Sequence, residues 1–234
     1  MMPPLGRRDL LAAACAWPFA AAGVGHARAT AVDVALVLAI DSSSSVDMAE
    51  FALQMAGFAS AFRDPAVRAA ASAGPSGAVA VTMFEWSGPE AQAELVGWTR
   101  LADGASVDRF ADALGEAPRQ VTGGATSISG ALLHGFASLA ACPFPAERRV
   151  IDVSGDGVNN QGFAVARVRD RLIAHGVTIN GLAIVNEEPD LLGHFEAEVI
   201  GGGGAFALEA ADYEDFARAM TLKLLRELPS AVAA

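Results

Sequence analysis

The sequence predicts a three-layer, doubly wound α/β fold. Its centre is a mostly parallel six-stranded sheet with one antiparallel edge strand, covered by helices on both faces. Three observations lead there. Residues 35–40 form an unbroken apolar run, the composition of a strand buried on both faces. Strand-like and helix-like stretches then alternate to residue 228, and helical connections of that length make right-handed crossovers between parallel strands. One connection is different: Ser87-Gly88-Pro89 is too short for a crossover, so it predicts a hairpin and an antiparallel edge strand.

The elements follow in order. After the first strand, Met48, Phe51, Met55, Phe58 and Phe62 make a helical stripe over 47–62, with Ser45 or Asp47 as its cap. Pro65, Gly74 and Pro75 mark 63–77 as a loop. The second strand is expected at 78–84 and the third, across the hairpin, at 92–99. Val107, Phe110, Ala111 and Leu114 mark a helix. A loop rich in glycine and hydroxyls fills 120–129, and a helix over 128–139 stops near Pro143. Then come a strand at 149–153, a helix at 163–174, a strand at 177–185 and a short helix at 191–199. A glycine turn at 201–204, a short strand at 205–208 and a closing helix at 213–228 complete the chain.

Composition bounds the function. Of 234 residues, 53% are apolar and 18% charged, which suits one sizeable core. The first 29 residues read as a targeting segment: Arg7-Arg8-Asp9-Leu10-Leu11, an Ala-rich stretch to Gly25, and a small-x-small site at Ala27-Arg28-Ala29. This resembles a bacterial twin-arginine signal, with an ordinary secretory signal as the alternative. The protein is therefore expected to be exported, periplasmic or secreted, with a single domain over 30–234. Without that segment the chain keeps 13 basic and 26 acidic groups, a formal charge of −13. Such a surface repels nucleic acid and anionic lipid. No apolar run after residue 30 reaches the ~18 residues that span a bilayer. Cys142 would be the one cysteine left, so no intramolecular disulfide is expected.

The chemistry gathers at one edge of the sheet. Asp41 ends the first strand and leads into Ser42 to Ser45, an oxygen-rich cluster of the kind hard cations prefer. Doubly wound sheets bind ligands beyond the carboxyl ends of their strands, where strand order reverses. Two more stretches belong at that edge: Thr122-Gly123-Gly124-Ala125-Thr126-Ser127 before a helix, and Val153-Ser154-Gly155-Asp156-Gly157 after the fourth strand. Taken singly, Thr126 reads as an N-cap and Asp156-Gly157 as a turn. Together, Asp41-x-Ser43-x-Ser45, Thr126 and Asp156 resemble the metal-ion-dependent adhesion site (MIDAS) of von Willebrand factor type A (vWA) domains. The likeness runs over about residues 32–228. The stretches 148–157 and 178–182 further resemble an uncharacterised group of exported proteobacterial vWA-like proteins. Most type A domains have Thr or Ser directly before the second Asp. Here it is Gly155, expected to cost one supporting hydroxyl and no ligand.

The resemblance implies a divalent cation, Mg2+ or else Mn2+ or Ca2+, held by Asp41, Ser43, Ser45, Thr126 and Asp156. It also implies a vacant coordination position for an Asp or Glu carboxylate of a partner protein. The two aspartates balance a divalent charge, and on an acidic surface the metal becomes the local positive feature. An enzyme is the rival reading. Gly155-Asp156-Gly157-Val158-Asn159-Asn160 resembles a motif of haloacid-dehalogenase-type phosphatases, which also use Mg2+ and an aspartate after the first strand. Their acid/base aspartate two residues later is here Ser43, their motif's last Asp is Asn160, and the one lysine, Lys223, lies in the last helix. No Gly-x-Ser-x-Gly elbow marks a serine hydrolase. Glu85 and Trp86 are expected to pack at a strand end, with contact to a partner as the alternative. Asp152, inside a strand, needs a buried donor such as Arg148 or Arg149. Glu187 and Glu188 read as a solvated loop.

Overall fold

The structure is a computed structural model that describes residues 30–229; the targeting segment expected over residues 1–29 lies outside the described residues. Six strands form one sheet: β1 (Val32–Asp41), β2 (Val79–Trp86), β3 (Gln92–Leu101), β4 (Ala146–Gly155), β5 (Thr178–Ile184) and β6 (Ala207–Ala210). Their spatial order is β3-β2-β1-β4-β5-β6, and every pairing is parallel except β2–β3. The chain winds outward from β1 in one direction and then, from β4, in the other, so β1 and β4 flank the reversal point. The expected fold class is the observed one.

Alternation in β1 explains the layers. Val34, Leu36, Leu38 and Ile40 enter one core, and Ala35, Val37 and Ala39 the other. The first core is closed by α1 (Met48–Arg63), α2 (Pro65–Ala70), α3 (Gly104–Glu116) and α7 (Phe216–Glu227). The second is closed by α4 (Ile128–Ala140), α5 (Val165–Ala174) and α6 (Leu191–His194), which continues as a π-helical turn over Phe195–Val199. All ten β1 residues are buried, so the strand reads as a continuous apolar run with Asp33 and Asp41 at its ends.

Four local expectations are revised. Part of the 63–77 loop is α2: Pro65 sits in its first turn, where the missing N–H costs nothing, and Asp64 accepts from the Ala66 and Val67 amides. Phe163 precedes α5 instead of starting it and is 68% exposed. The last strand lies two residues later than expected, at Ala207–Ala210. The closing helix begins at Phe216, which leaves Tyr213 in the preceding turn with its ring buried. No helix among the described residues is long and apolar enough to cross a membrane.

Candidate metal centre

Asp41 is the last residue of β1. Its neighbour in register is Trp86 of β2, and Ile40 pairs with Ser154 of β4, so the carboxylate stands at the reversal point. It is fully buried. Oδ1 accepts the Ser43 amide at 2.7 Å, an Asx-type turn that swings the serine run around the carboxylate. Oδ2 accepts no hydrogen bond. An anionic oxygen left bare in a dry site is costly, and the usual resolution is a cation or a proton.

The remaining oxygens are linked pairwise. Ser43 Oγ is 3.1 Å from Ser45 Oγ, and Ser45 Oγ donates to Asp156 Oδ1 at 2.8 Å. Ser43 and Asp156 are buried while Ser45 is exposed, so the cluster is closed below and open to solvent above. The glycine loop brings in Thr126. Gly123 and Gly124 both have positive φ, +69° and +110°, and the bend lets Gly124 O accept the Ser44 amide at 3.1 Å. Asn160 then clasps Thr126 from the third loop: Thr126 N donates to Asn160 Oδ1 and Asn160 N to Thr126 O, each at 2.9 Å. A Cβ built on Gly157 would lie 3.6 Å from Thr126 Oγ1, which sets that hydroxyl beside the Asp156 turn. All five residues singled out in the sequence are thus brought to one edge by three loops. Thr126 does not cap α4; Ser127 does, accepting the Gly130 amide. Nor does Ser45 cap α1: Asp47 does, in a capping box with Glu50.

Electrostatics follow from this crowding. Burial, then the nearby Asp156 charge, push Asp41 up to about 7. Tyr213 OH donates to Asp156 Oδ2 at 2.9 Å, and burial together with that carboxylate keeps the phenol protonated far above its usual range. Arg119 is the nearby cation, yet its guanidinium is committed to the Ser42, Ser43, Val46 and Val121 carbonyls on the outer side of the loops. Two carboxylates, one of them with a bare oxygen, and three hydroxyls form a hard donor set that fits a small divalent cation.

Four residues that hold the site are not evident as such in the sequence. Glu85 turns inward, fully buried, and accepts from Ser42 Oγ at 2.9 Å and from the Gln120 and Val121 amides at 2.5 and 2.8 Å. It therefore ties the first loop to the second and does not face a partner. Arg119 does the same from outside, Tyr213 buttresses Asp156, and Asn160 joins the second loop to the third. Of these, Glu85 carried a signal: a carboxylate inside an apolar strand must find donors. At Gly155, a Cβ would lie 2.9 Å from Asp41 Oδ2 and 3.5 Å from the Trp86 ring. The Asp41 carboxylate takes up the space a Cβ would need, while the indole stands at ordinary contact distance, so a side chain here would push on Asp41 and glycine is a packing requirement.

A family model described as "Protein of unknown function (DUF1194)" matches residues 31–232. The chain belongs to that family. No curated protein sequence matches it. Among solved structures it is similar to proximal thread matrix protein 1 from the mussel byssus, with a TM-score of 0.59 at 16% identity over 84% of this chain and 48% of that one. A second structure of that mussel protein, described with a zinc-occupied MIDAS motif, matches with a TM-score of 0.56 at 15% identity over 85% and 46%. A von Willebrand factor type A protein from Catenulispora acidiphila gives 0.55 at 17% over 83% and 43%. BatB from Bacteroides thetaiotaomicron gives 0.51 at 16% over 83% and 99%. The chain spans about half the length of the mussel protein. At these identities the likeness establishes the fold: this DUF1194 chain is vWA-like.

Proposed function

We propose that this DUF1194 protein is an exported, single-domain interaction module. It holds a divalent cation with Asp41, Ser43, Ser45, Thr126 and Asp156 and presents it to an Asp or Glu side chain of a partner protein. The observation that carries this reading is the bare, fully buried Oδ2 of Asp41 at the foot of a hydroxyl-lined cluster that opens to solvent at Ser45. The zinc described in the MIDAS motif of the mussel protein supports a divalent ion at the corresponding edge of the fold. When bound, the cation supplies a positive, electrophilic point on an otherwise acidic surface. The protein's own part is positional. Asp41 and Asp156 provide the neutralising charge, the serines and Thr126 provide neutral oxygens, and the Glu85, Arg119 and Asn160 contacts hold the three loops in register. The phosphatase alternative is not favoured. Its acid/base position is Ser43, Asn160 is spent on the Thr126 backbone, and Lys223 Nζ is buried between Asp152 and Glu227.

Thermal unfolding with Mg2+, Mn2+, Zn2+ or chelator tests the metal site. An ion that binds only the native state adds RT ln(1 + [L]/Kd), about 2.7 kcal/mol at a hundredfold excess over Kd. Wild type should gain in melting temperature with at least one ion. Asp41→Ala, which loses one of two charges facing the cation, should lose most of that gain, and Ser43→Ala less. Equal gains in wild type and Asp41→Ala would place the ion elsewhere. The partner half of the reading is tested by chelator-sensitive recovery of one protein from periplasm on wild type but not on Asp41→Ala.

A further inference from the structure

Lys223 is the one lysine among 234 residues, against 15 arginines, and it is wholly buried. It lies on α7 facing β4. Nζ is 2.6 Å from Asp152 Oδ1 and 2.6 Å from Glu227 Oε1, and none of the three side chains is more than 1% exposed. Asn180 Nδ2 donates to Glu227 Oε1 at 2.8 Å, and Arg148 donates to the Glu227 backbone carbonyl at 3.0 Å. The Phe206 ring covers Nζ at 5.2 Å, with the Arg226 guanidinium 3.8 Å from the same ring. Glu227 Oε2 and Asp152 Oδ2 accept no hydrogen bond. Asp152 thus has the buried donor it needs, and that donor is Lys223 and neither Arg148 nor Arg149.

Fully ionised, this triad would bury a net negative charge away from water, which is costly. Burial and the Glu227 charge both push the Asp152 carboxyl toward its protonated form. One ammonium, one carboxylate and one carboxylic acid then stand in contact. A single proton transfer from Nζ gives a free amine against two carboxylic acids, with no change in total charge. An arginine could not reach that state, because its guanidinium does not deprotonate in proteins. An uncharged amine held against a carboxyl group in a dry pocket is a positioned nucleophile.

We propose that Lys223 and Asp152 condense into an isopeptide cross-link between α7 and β4, with Glu227 as the catalytic proton carrier. The lysine lone pair attacks Asp152 Cγ. Glu227 takes a proton from the nitrogen and hands it to the departing hydroxyl. The N–C bond forms, the C–O bond breaks and one water leaves, with no oxidant, reductant or cofactor. The product amide is neutral, Glu227 ends as the carboxylic acid it was before the attack, having given one proton and taken one, and Asn180 continues to hold its Oε1. The bond ties a central strand to the last helix, a staple that no disulfide can supply because Cys142 is the one cysteine among the described residues.

Mass spectrometry of the denatured full chain tests this directly. Wild type should run about 18 Da, one water, below its sequence mass, as condensation requires. Trypsin should release residues 150–167 joined to 219–226, uncut after Lys223, whatever the state of the N-terminus. Glu227→Gln should fold yet accumulate the uncondensed mass, and Lys223→Met should not condense at all. Folded wild type with cooperative unfolding and the full, unlinked mass overturns the proposal. That result would assign the triad to ion pairing alone. Because the wild-type spectrum decides by itself, poor folding of either variant leaves the test intact.

Discussion

Asp41 shows how much one side chain's surroundings decide. One oxygen is fixed by the Ser43 amide, the other is bare, and a second carboxylate is close by, so the native state holds a proton up to a pH of about 7 while the unfolded chain releases it near 3.8. Between those values the native state binds more protons than the unfolded state, and stability falls as pH rises. In chelator, wild type should therefore lose stability relative to Asp41→Asn from pH 4 to 8, by up to roughly 4 kcal/mol at about 1.4 kcal/mol per unit. Excess Mg2+ or Mn2+ should reverse the order at pH 8. Urea midpoints for the two proteins across that range are the measurement, and parallel curves would mean that Asp41 is not held in a raised-pKa site. Gly155 gives a second prediction. Gly155→Thr drives Cβ against Asp41 Oδ2, so the metal-induced rise in melting temperature should shrink, and a rise equal to that of wild type would mean that the carboxylate yields without loss of the ion. The five oxygen-bearing residues were legible because each sits at a strand-to-helix or loop-to-helix junction. Tyr213, Arg119 and Asn160 were not, because their roles are contacts over long sequence separations that leave no local spacing.

At the scale of elements, strands inside the sheet were the clearest part of the sequence, because burial on both faces strips them of polar residues. The hairpin was equally clear from its length. The α2 helix was lost because Pro65 reads as a breaker, when proline in a first turn behind an Asp cap is a start signal. The later start of α7 was lost because Tyr213 continues the apolar pattern, although its hydroxyl is used at Asp156 and not in the helix. The α1 cap allows a test that separates two neighbouring jobs. Asp47 accepts the Ala49 and Glu50 amides, whereas Ser45 faces Asp156. Asp47→Ala should cost about 1 kcal/mol with or without metal and leave the metal-induced gain unchanged. Ser45→Ala should cost little in chelator and diminish the gain. Melting curves of both variants in metal and in chelator distinguish capping from ligation, and a metal-dependent effect confined to Asp47→Ala would reverse the assignment.

On the scale of the whole molecule, the sheet delivers three loops to one edge, and Glu85 binds two of them together from below. Its carboxylate is fully buried and takes two amides and a hydroxyl, so Glu85→Gln replaces a charged acceptor with a weaker one and leaves an extra N–H to satisfy. Neither the metal nor a partner touches Glu85 in the proposed arrangement, which makes it a positioning residue whose effect must pass through the loops. Part of the binding energy of a cation would then be spent on gathering the loops that carry Ser43, Ser45 and Thr126, and metal affinity should fall several-fold even at temperatures where the variant is fully folded. Isothermal titration with Mn2+ at 15–25 °C gives the affinity directly, and circular dichroism on the same samples establishes the fold. A variant that melts earlier yet binds Mn2+ as tightly as wild type would confine Glu85 to a structural role and leave the second loop held by Arg119 and Asn160. Overall charge enters the same titration from a distance. The strongly acidic body of residues 30–234 attracts a cation through a field that salt screens over about 8–10 Å, while the contacts at Asp41 and Asp156 are too close to be screened. Raising ionic strength should therefore weaken Mn2+ binding by the same factor in wild type and Glu85→Gln. A variant defect that disappears in high salt would instead be the loss of the Glu85 charge acting through space, and not the loosening of the loops.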